Sequence, residues 1–377
     1  MQERIERLRA AFKDADIDGL LVTGATNRRY MTGFTGSAGM ALITREEALF
    51  LTDFRYVEQA KAQAPDYTLV RYDDPYATLH QRLARCAGRR IGFESHHVTV
   101  EQLENLKTPP DGQPAAVEWV PVKGLVEELR GRKSQEELEL IQAAVDVADR
   151  AFSYILDHLR PGATEKEIAW KLEVFMREQG AEALAFPSIV ASGPNGALPH
   201  ARPTDKPLAA GEFVTLDFGC VWKGYCSDMT RTVFIGRPTD EDRVLYELVL
   251  RAQQAGVEAV RPGVVAKDVD ATARNIIAEA GYGDFFGHGL GHGIGLDVHE
   301  EIPRFSTRGG VVLEPGMVGS IEPGVYLPGR GGILDGPGRK AARQRLGHAQ
   351  APFLVEKPLQ IPGRGHIARL DQHRRNI

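Results

Sequence analysis

The sequence predicts two folded domains, a small α/β domain followed by an α+β domain built from two related halves. Short apolar runs alternate with helical patterns over about the first 125 residues, which indicates the α/β domain. An internal repeat between about residues 159 and 324 indicates the two halves. We therefore predict an α/β domain over 1–125, a larger domain over 126–332 and an atypical basic tail over 333–377.

Four apolar runs are the predicted strands of the first domain, namely DGLLVT, AGMALIT, EALFLTD and RRIGFES. The second domain is predicted to begin with a long amphipathic helix in KSQEELELIQAAVDVADRAF. Ser134 and Glu137 form a capping-box pattern ahead of that helix. The domain boundary is therefore expected between about Gly124 and Arg132.

The internal repeat consists of two segments that align in the same order. LRPGATEKEIAWKLEVFMREQG (159–180) aligns without a gap with VRPGVVAKDVDATARNIIAEAG (260–281). Each copy predicts a Pro-Gly turn, a helix and a glycine stop. LAAGEFVTLDFG (208–219) aligns with LEPGMVGSIEPG (313–324), so that Asp217 corresponds to Glu322. The repeat predicts two halves that face each other, with acidic residues at equivalent positions.

Composition and charge argue against a nucleic-acid-binding, membrane-spanning or disulfide-stabilised protein. The net charge of −5 argues against nucleic-acid binding, although residues 338–377 carry nine Lys or Arg against two acidic residues. The one phenylalanine of this basic segment, Phe353, does not make a pattern of aromatic residues interleaved with basic ones, so specific nucleic-acid recognition is not expected. Neither a signal peptide nor a membrane-spanning run is found, which predicts a cytoplasmic protein. Cys86, Cys220 and Cys226 are too few for a disulfide framework and are expected to be buried free thiols.

The segment GEFVTLDFGCVWKGYCSDMTRTVFIG predicts a β-hairpin with a turn at Lys223-Gly224. Asp217 and Asp228 are almost equidistant from that turn, so their side chains should lie opposite or nearly opposite each other. Like charges at that spacing destabilise a strand pair unless a cation lies between them. The alternative is a pair of exposed aspartates on an edge hairpin.

Three histidines, His288, His292 and His299, lie within the glycine-rich stretch FGHGLGHGIGLDVHE. Imidazole is a common metal ligand, and glycines allow a close approach of backbone and substrate. The alternative is a surface loop that contains unrelated histidines. Glu322 lies in GSIEPGVY, which we predict to be a strand followed by a Pro-Gly turn.

The repeat brings Asp217, Asp228, His292 and Glu322 together as candidate ligands from both halves. This mixture of oxygen and nitrogen donors suits Mn, Co, Fe or Zn. Bridging carboxylates would hold two ions and activate a shared water for hydrolysis. The residues themselves therefore predict metal-assisted hydrolysis.

Four ordered motifs resemble the pita-bread metallopeptidases, specifically their Xaa-Pro branch of aminopeptidase P and prolidase. These motifs are TGFTGSAG, LDFGCVWKGYCSDMTRT, HGLGHGIGLDVHE and SIEPGVY, and the resemblance extends from about residue 5 to Gly332. It implies a creatinase-like N-terminal domain followed by a pita-bread domain with a pseudo-two-fold repeat. It also implies two divalent metal ions, with manganese foremost and cobalt or zinc as alternatives, and a homodimer.

The resemblance implies a role for each candidate residue. Asp217 would chelate one ion, Asp228 would bridge both, and His292 would bind the second. Glu322 would be a ligand that also serves as general base, and His299 would stabilise the oxyanion. His200 and His288 would line the pocket for the proline of a peptide substrate, and Tyr326 falls where the family has a tyrosine near the site, as a further substrate-binding residue.

The family pattern breaks after PGRGG, where these enzymes continue into a strand that contains Arg-Ile-Glu-Asp. Residues 331–340 read GGILDGPGRK, from which we predict that no such strand forms. The glutamate of that strand is the second bridging ligand, so the second metal site should be weakened. Our hypothesis is that a reading-frame change replaced the C-terminus. Asp335, or less favourably Glu356, would be the substitute ligand.

These observations predict an Xaa-Pro aminopeptidase of the aminopeptidase P type. One alternative is a prolidase that acts on Xaa-Pro dipeptides. Another is a non-catalytic protein of the same fold that binds peptides or a partner protein, which the missing ligand strand would favour.

Overall fold

The computed structural model describes residues 1–85, 89–110, 112 and 116–334. The chain divides into two compact units, residues 1–130 and the part from residue 131 onward. The first unit is an α/β domain and the second is an α+β domain, so the predicted fold class is confirmed. Cys86, Asp335, Glu356 and the rest of the basic tail lie outside the described residues.

The first unit is a six-stranded sheet with helices in the connections. Its strands are β1 Gly19–Val22, β2 Met40–Thr44, β3 Ala48–Thr52, β4 Thr68–Arg71, β5 Arg90–Glu94 and β6 Glu118–Val122. Its helices are α1 Gln2–Ala11, α2 Ala25–Thr32, α3 Val57–Gln63, α4 Pro75–Leu83, α5 Val100–Lys107 and α6 Leu125–Gly131, which ends one residue beyond the unit. The strand order is β4-β3-β2-β1-β5-β6.

The four predicted strands of this unit form β1, β2, β3 and β5, whereas the two edge strands were not predicted. β3 pairs with β4 and β5 with β6, both in parallel. Each edge strand is partly exposed and has only two consecutive apolar residues, since Pro121 interrupts β6 and Thr68 and Arg71 bound β4, so neither shows a long apolar run. Edge strands lack a neighbour on one side, and this position tolerates polar residues and proline.

The second unit contains four long helices and ten short strands among its described residues. The helices are α7 Gln135–Leu156, α8 Glu165–Glu178, α9 Asp240–Ala259 and α10 Ala266–Glu279. The strands are β7 Ala183–Leu184, β8 Ile189–Ser192, β9 Phe213–Phe218, β10 Cys220–Trp222, β11 Tyr225–Cys226, β12 Met229–Phe234, β13 Gly291–Gly293, β14 Glu300–Phe305, β15 Gly324–Leu327 and β16 Gly331–Leu334. The predicted capping box at the start of α7 is present, with Ser134 and Glu137 bonded reciprocally.

The two halves of this unit repeat the same local structure. α8 and α10 are both 14 residues long. Gly162 has a φ of 92° and Gly263 a φ of 86°, a left-handed conformation that glycine adopts without strain. The Gly162 N–H donates to the Leu208 carbonyl, and the Gly263 N–H donates to the Leu313 carbonyl, each at 2.9 Å. The predicted internal repeat is therefore confirmed at the level of individual hydrogen bonds.

Each half has its own apolar core. In the first half α7 and α8 pack against β8 and β9, with Ile168, Leu172 and Leu216 fully buried. In the second half α9 and α10 pack against the segment that contains Ile321, with Leu290 also fully buried. Two cores at equivalent positions hold the elements of the candidate site between them. None of the described helices is long and apolar enough to cross a membrane.

Candidate metal centre

The hairpin that carries the two aspartates forms as predicted. Lys223 and Gly224 both have positive φ, 47° and 87°, which defines a type I′ turn between β10 and β11. Asp217 pairs with Thr230 across β9 and β12, and Asp228 lies two residues before Thr230. Because strand side chains alternate with a period of two, Asp217 and Asp228 are diagonal neighbours on one face. The prediction that they lie nearly opposite each other is confirmed.

His292 lies in the centre of β13, between two glycines. A Cβ at Gly291 would overlap the Ser320 carbonyl oxygen, and one at Gly293 would crowd the Ile302 carbonyl oxygen. β13 therefore passes between β14 and the segment around Ser320 with no room for side chains at either position. This close packing is the reason for the two glycines that flank His292.

Glu322 lies in a segment between β14 and β15 that runs beside β13. Ser320 N–H donates to the His292 carbonyl at 2.9 Å, and Glu322 N–H donates to the Leu290 carbonyl at 2.8 Å. The prediction of a strand through Glu322 followed by a Pro-Gly turn was wrong, since the strand β15 begins at Gly324. Pro323 has no N–H, so it interrupts the ladder directly after Glu322.

Asp228, His292 and Glu322 converge, and their candidate ligand atoms lie within 4.8 Å of one another. His292 Nε2 is 3.4 Å from Asp228 Oδ2 and 3.2 Å from Glu322 Oε1. His292 Nδ1 lies 2.9 Å from the Gly293 carbonyl oxygen, to which it donates as Nδ1–H. That bond leaves Nε2 facing the two carboxylates, so that this nitrogen can ligate a metal ion bound between them.

Ser320 orients two of these side chains. Its hydroxyl donates to Glu322 Oε1 at 2.7 Å and accepts the His292 backbone N–H at 3.1 Å. Bonds of this kind behind the ligands hold their orientation and tune a metal site.

Asp217 lies near these three residues, but it is not one of the group whose candidate ligand atoms are all within 4.8 Å of one another. Its Oδ1 atom is buried and has no hydrogen-bond partner among the described residues. Burial raises the pKa of Asp217 well above its ordinary value, and the charges of Asp228 and Glu322 raise it further. Burial also raises the pKa of Asp228. A divalent cation would partner the unpaired oxygen and reverse these shifts, so the residues fit a metal ion.

The histidine of this group carries a proton when no cation is bound. Burial opposes the charged form of His292, but hydrogen bonds with Asp228 and Glu322 outweigh burial and raise its pKa to about 11. Burial would raise the pKa of Glu322, yet the hydrogen bond and charge of His292 lower it. An imidazolium therefore occupies the electrostatic position that a metal ion would take.

The other predicted site residues line the same cavity, which has a volume of about 1060 Å³. The His299 ring lies 4.2 Å from the His292 ring, centroid to centroid. Burial and the charge of His292 lower the pKa of His299, so its neutral form prevails near pH 7. The Tyr326 hydroxyl lies 2.9 Å from His288 Nε2, and His200 is exposed at the cavity wall. All eight of the predicted site residues thus line one cavity.

Residues 139–334 match metallopeptidase family M24, and residues 4–131 match the creatinase/prolidase N-terminal domain. This chain belongs to metallopeptidase family M24. The family resemblance inferred from the motifs is confirmed, as is the pita-bread fold with a creatinase-like N-terminal domain. The protein is accordingly a metallopeptidase, as predicted.

Several M24 relatives extend over nearly the whole described chain. The structure of the Xaa-Pro dipeptidase from Bacillus anthracis has a TM-score of 0.85 and 44% identity, covering 89% of this chain and 93% of that one. The Xaa-Pro dipeptidase of Pyrococcus furiosus is 36% identical over 88% of this chain and 93% of its own length. The structure of the X-Pro aminopeptidase from Thermotoga maritima has a TM-score of 0.79 and 36% identity, covering 87% and 93%.

The M24 match ends at Leu334, where the notable departure from the family pattern begins. A short strand that was not predicted, β16, forms over Gly331–Leu334 and pairs with β15. Thr215 Oγ1 donates to the Gly332 carbonyl, and Thr232 Oγ1 donates to the Leu334 carbonyl, so β16 is anchored to the aspartate hairpin. Four residues, two of them glycine, are too short a run for strand periodicity to reveal. The Arg-Ile-Glu-Asp motif itself is absent from the sequence.

Two features were not predicted from the sequence, the arginines of the cavity wall and a buried glutamate that supports this wall. Arg202 and Arg304 are exposed residues of the cavity wall and place positive charge there. Glu165, which is fully buried, holds the segment that carries His200. One Glu165 oxygen accepts from the Ser192 N–H at 2.8 Å and the other from the Thr204 N–H at 3.0 Å. The sequence held no signal for this role, because an acidic residue at the start of a helix is common without burial.

A second grouping of candidate ligands, Glu94, His96 and Glu127, lies in the first unit. Glu94 already accepts hydrogen bonds from the N–H groups of Thr23 and Gly24 and from the Asn27 amide. These bonds account for the buried carboxylate without a metal ion.

Replacing Glu165 by Gln is expected to lower the free energy of unfolding by about 2–4 kcal/mol at pH 7, because an amide cannot accept all of these bonds. Burial would raise the pKa of Glu165, but hydrogen bonds from Thr204 and Ser192 outweigh burial and lower it. The stabilisation is therefore present above the unfolded pKa and is lost as the pH falls through the folded pKa. Urea unfolding at several pH values measures it.

Glu178→Gln, an exposed change on the same helix, is the matched control and should alter stability by less than about 0.5 kcal/mol. Equal losses in the two variants, or a Glu165→Gln loss that persists at low pH, would contradict the assigned role of Glu165.

Proposed function

We propose that this protein is an Xaa-Pro dipeptidase that hydrolyses the amide bond preceding proline. The observation that carries the proposal is the convergence of Asp228, His292 and Glu322, with Asp217 beside them, in a cavity large enough for a dipeptide. The similarity to the Xaa-Pro dipeptidases of Bacillus anthracis and Pyrococcus furiosus supports it.

Asp217, Asp228, His292 and Glu322 would hold divalent ions, manganese foremost and cobalt or zinc as alternatives. When bound, such ions supply Lewis acidity to the scissile carbonyl and lower the pKa of water. The second of the two expected ions would be held more weakly, because the bridging glutamate of the family motif is missing. Asp335 and Glu356 remain the candidates for its replacement.

Glu322 would accept the proton of the attacking water as general base. Its Oε1 atom is occupied by the Ser320 hydroxyl, and Ser320 thereby holds the carboxylate in one orientation. His299, neutral near pH 7 and beside His292, would donate a hydrogen bond to the oxyanion as it develops. The proton accepted by Glu322 would then pass to the leaving nitrogen of proline.

The proline end of the substrate would be received by His288, Tyr326 and His200. The hydrogen bond between His288 and Tyr326 presents two rings at a fixed angle, with centroids 5.5 Å apart. Fixed rings offer a proline an apolar surface at little cost in side-chain entropy. Arg202 and Arg304 would pair with the carboxylate of a dipeptide, which ends directly after this proline.

The second candidate is the aminopeptidase P activity that the sequence motifs suggested, in which longer peptides are cleaved after their first residue. The Thermotoga maritima X-Pro aminopeptidase, at 36% identity, supports this alternative. The two activities differ in whether a free carboxylate must follow the proline.

Steady-state hydrolysis of Ala-Pro and Ala-Pro-Ala by Mn-loaded protein tests the proposal, with Ala-Ala as the control for proline selectivity. We expect kcat/KM for Ala-Pro to exceed that for Ala-Pro-Ala by at least about 10-fold, since one charge-assisted hydrogen bond contributes about 1.5–3 kcal/mol. A reversed ratio would establish the aminopeptidase. Hydrolysis of neither peptide at saturating Mn(II) would favour the non-catalytic alternative.

A further inference from the structure

We propose that Asp270 and Arg274, an ion pair on α10, are positioning residues. They set the location of His288 and of the Leu290 backbone, which in turn binds the Glu322 N–H. Neither side chain lines the cavity, and neither belongs to the site described above. The kinetic consequences of this proposal rest on the proposed function, whereas its structural consequences do not.

The pair binds three alternate residues of the glycine-rich segment. Arg274 Nη1 donates to the Phe286 carbonyl at 3.0 Å, and Nη2 donates to the His288 carbonyl at 2.7 Å. Asp270 Oδ1 accepts the Leu290 N–H at 2.9 Å. Two side chains thus satisfy backbone groups in a segment that, within the described residues, belongs to no strand and has no other element to bind these groups.

The ion pair itself is held in one geometry. Arg274 Nε and Nη2 donate to Asp270 Oδ2 and Oδ1 at 2.8 and 2.9 Å, and Asp270 is only 1% exposed. The guanidinium also lies over the Phe286 ring, 4.3 Å from its centroid. Buried ion pairs often add little net stability. We therefore assign this pair the role of fixing the geometry of its hydrogen bonds to the backbone. Lysine cannot reproduce the planar fork.

The other side of the held segment contacts the candidate site directly. The Leu290 carbonyl accepts the Glu322 N–H at 2.8 Å, so a single residue, Leu290, links Asp270 to the backbone of the proposed general base. His288 bonds through Nδ1 to the Gly289 carbonyl and through Nε2 to the Tyr326 hydroxyl. A shift of the backbone at His288 would therefore move the ring that receives proline.

The internal repeat shows that the fold does not require this pair. The positions on α8 that correspond to Asp270 and Arg274 are Ala169 and Glu173. In the first half the carboxylate of Glu165 binds the segment 192–204 instead. The pair is therefore particular to the half that carries His288, which favours a local positioning role over a general one.

The test compares Arg274→Lys with Arg177→Lys, a matched change in an exposed pair of Arg177 with Glu173 on the equivalent helix. For Arg274→Lys we expect KM for Ala-Pro to rise about 10- to 100-fold with kcat changed less than about threefold and Mn(II) affinity preserved. We also expect hydrogen exchange of residues 286–292 to accelerate at least 10-fold, while residues 193–204 exchange as in the wild type. Arg177→Lys should change none of these.

Several outcomes would overturn the proposal. Unchanged KM and unchanged exchange of residues 286–292 in Arg274→Lys would show that the pair is dispensable, and uniform acceleration over the whole chain would show only a structural role. If Arg274→Lys does not fold, Asp270→Asn retains an acceptor for the Leu290 N–H and is measured in the same way. Rapid exchange of the Leu290 N–H in the wild-type protein would also refute the proposal. If the wild type hydrolyses no Xaa-Pro peptide, the proposed function fails, and the exchange data still decide the positioning role.

Discussion

Replacement of Glu322 by Gln is expected to lower kcat for Xaa-Pro hydrolysis by about 10²- to 10⁴-fold, the usual contribution of a general base. Gln keeps an oxygen that can ligate a metal ion and accept the Ser320 hydroxyl, but it cannot take a proton from water. KM should change little, because the proline-receiving residues His288 and Tyr326 are untouched. Steady-state kinetics at saturating Mn(II), with bound metal measured on the same sample, gives both constants.

Glu314→Gln is the control for this variant, since Glu314 is a surface residue paired with Arg132 and lies away from the cavity lining. It should retain wild-type kcat. If Glu322→Gln retains more than about a tenth of wild-type kcat with metal bound, Glu322 is not the base and its contribution is ligation alone.

The affinity for Mn(II) is expected to rise as the pH is raised from 6 to 8. If the ion displaces one proton, the affinity should rise about 10-fold per pH unit, and each further displaced proton adds another factor of about 10. Carboxylate contacts raise the pKa of His292 to about 11 in the metal-free protein, so His292 must lose a proton when it ligates a metal ion. Burial raises the pKa of Asp217 and Asp228 as well, which acts in the same direction. Affinity therefore falls as the pH falls. Calorimetry in buffers of different ionisation enthalpy counts the protons released.

One tightly held ion per chain is expected after loading with excess Mn(II) and desalting, because the second bridging glutamate is missing from the sequence. Two tightly held ions would show that a residue such as Asp335 restores the bridge.

The control for the pH dependence of Mn(II) affinity is His299→Gln, which should keep that dependence, since His299 is outside the three converging ligands. An affinity that does not vary with pH would contradict the assignment of His292 as a ligand.

Much of the fold could be predicted from local patterns. The four central strands of the first unit, the capping box of α7 and the Lys223-Gly224 turn each depend on residues close together in the chain. The edge strands β4 and β6 could not be predicted, because their exposed positions carry no apolar signal. β16 was missed for a related reason, since its stability comes from β15 and from the threonines of the aspartate hairpin.

The candidate ligands could be predicted because each belongs to a motif with fixed local spacing. The residues that hold these ligands in position could not be predicted, because they are far in the chain from the segments that they hold. Ser320 and Asp270 act through side-chain bonds to the glycine-rich segment, and neither residue is unusual in its own sequence context. Glu165 resembled an ordinary helix-start acid until its burial against Ser192 and Thr204 was seen.

The sequence by itself determined the chemistry available to this protein: two aspartates on one face of a hairpin, an imidazole between glycines, and a glutamate at the equivalent point of the second repeat. These features follow from the strand period of two and from an alignment within the chain, which need no tertiary information. Only the tertiary structure decided which nitrogen of His292 faces the carboxylates, which carboxyl oxygen of Asp217 is left without a partner, and which distant side chains hold His288. Those properties depend on contacts between segments dozens of residues apart, and burial sets their energies.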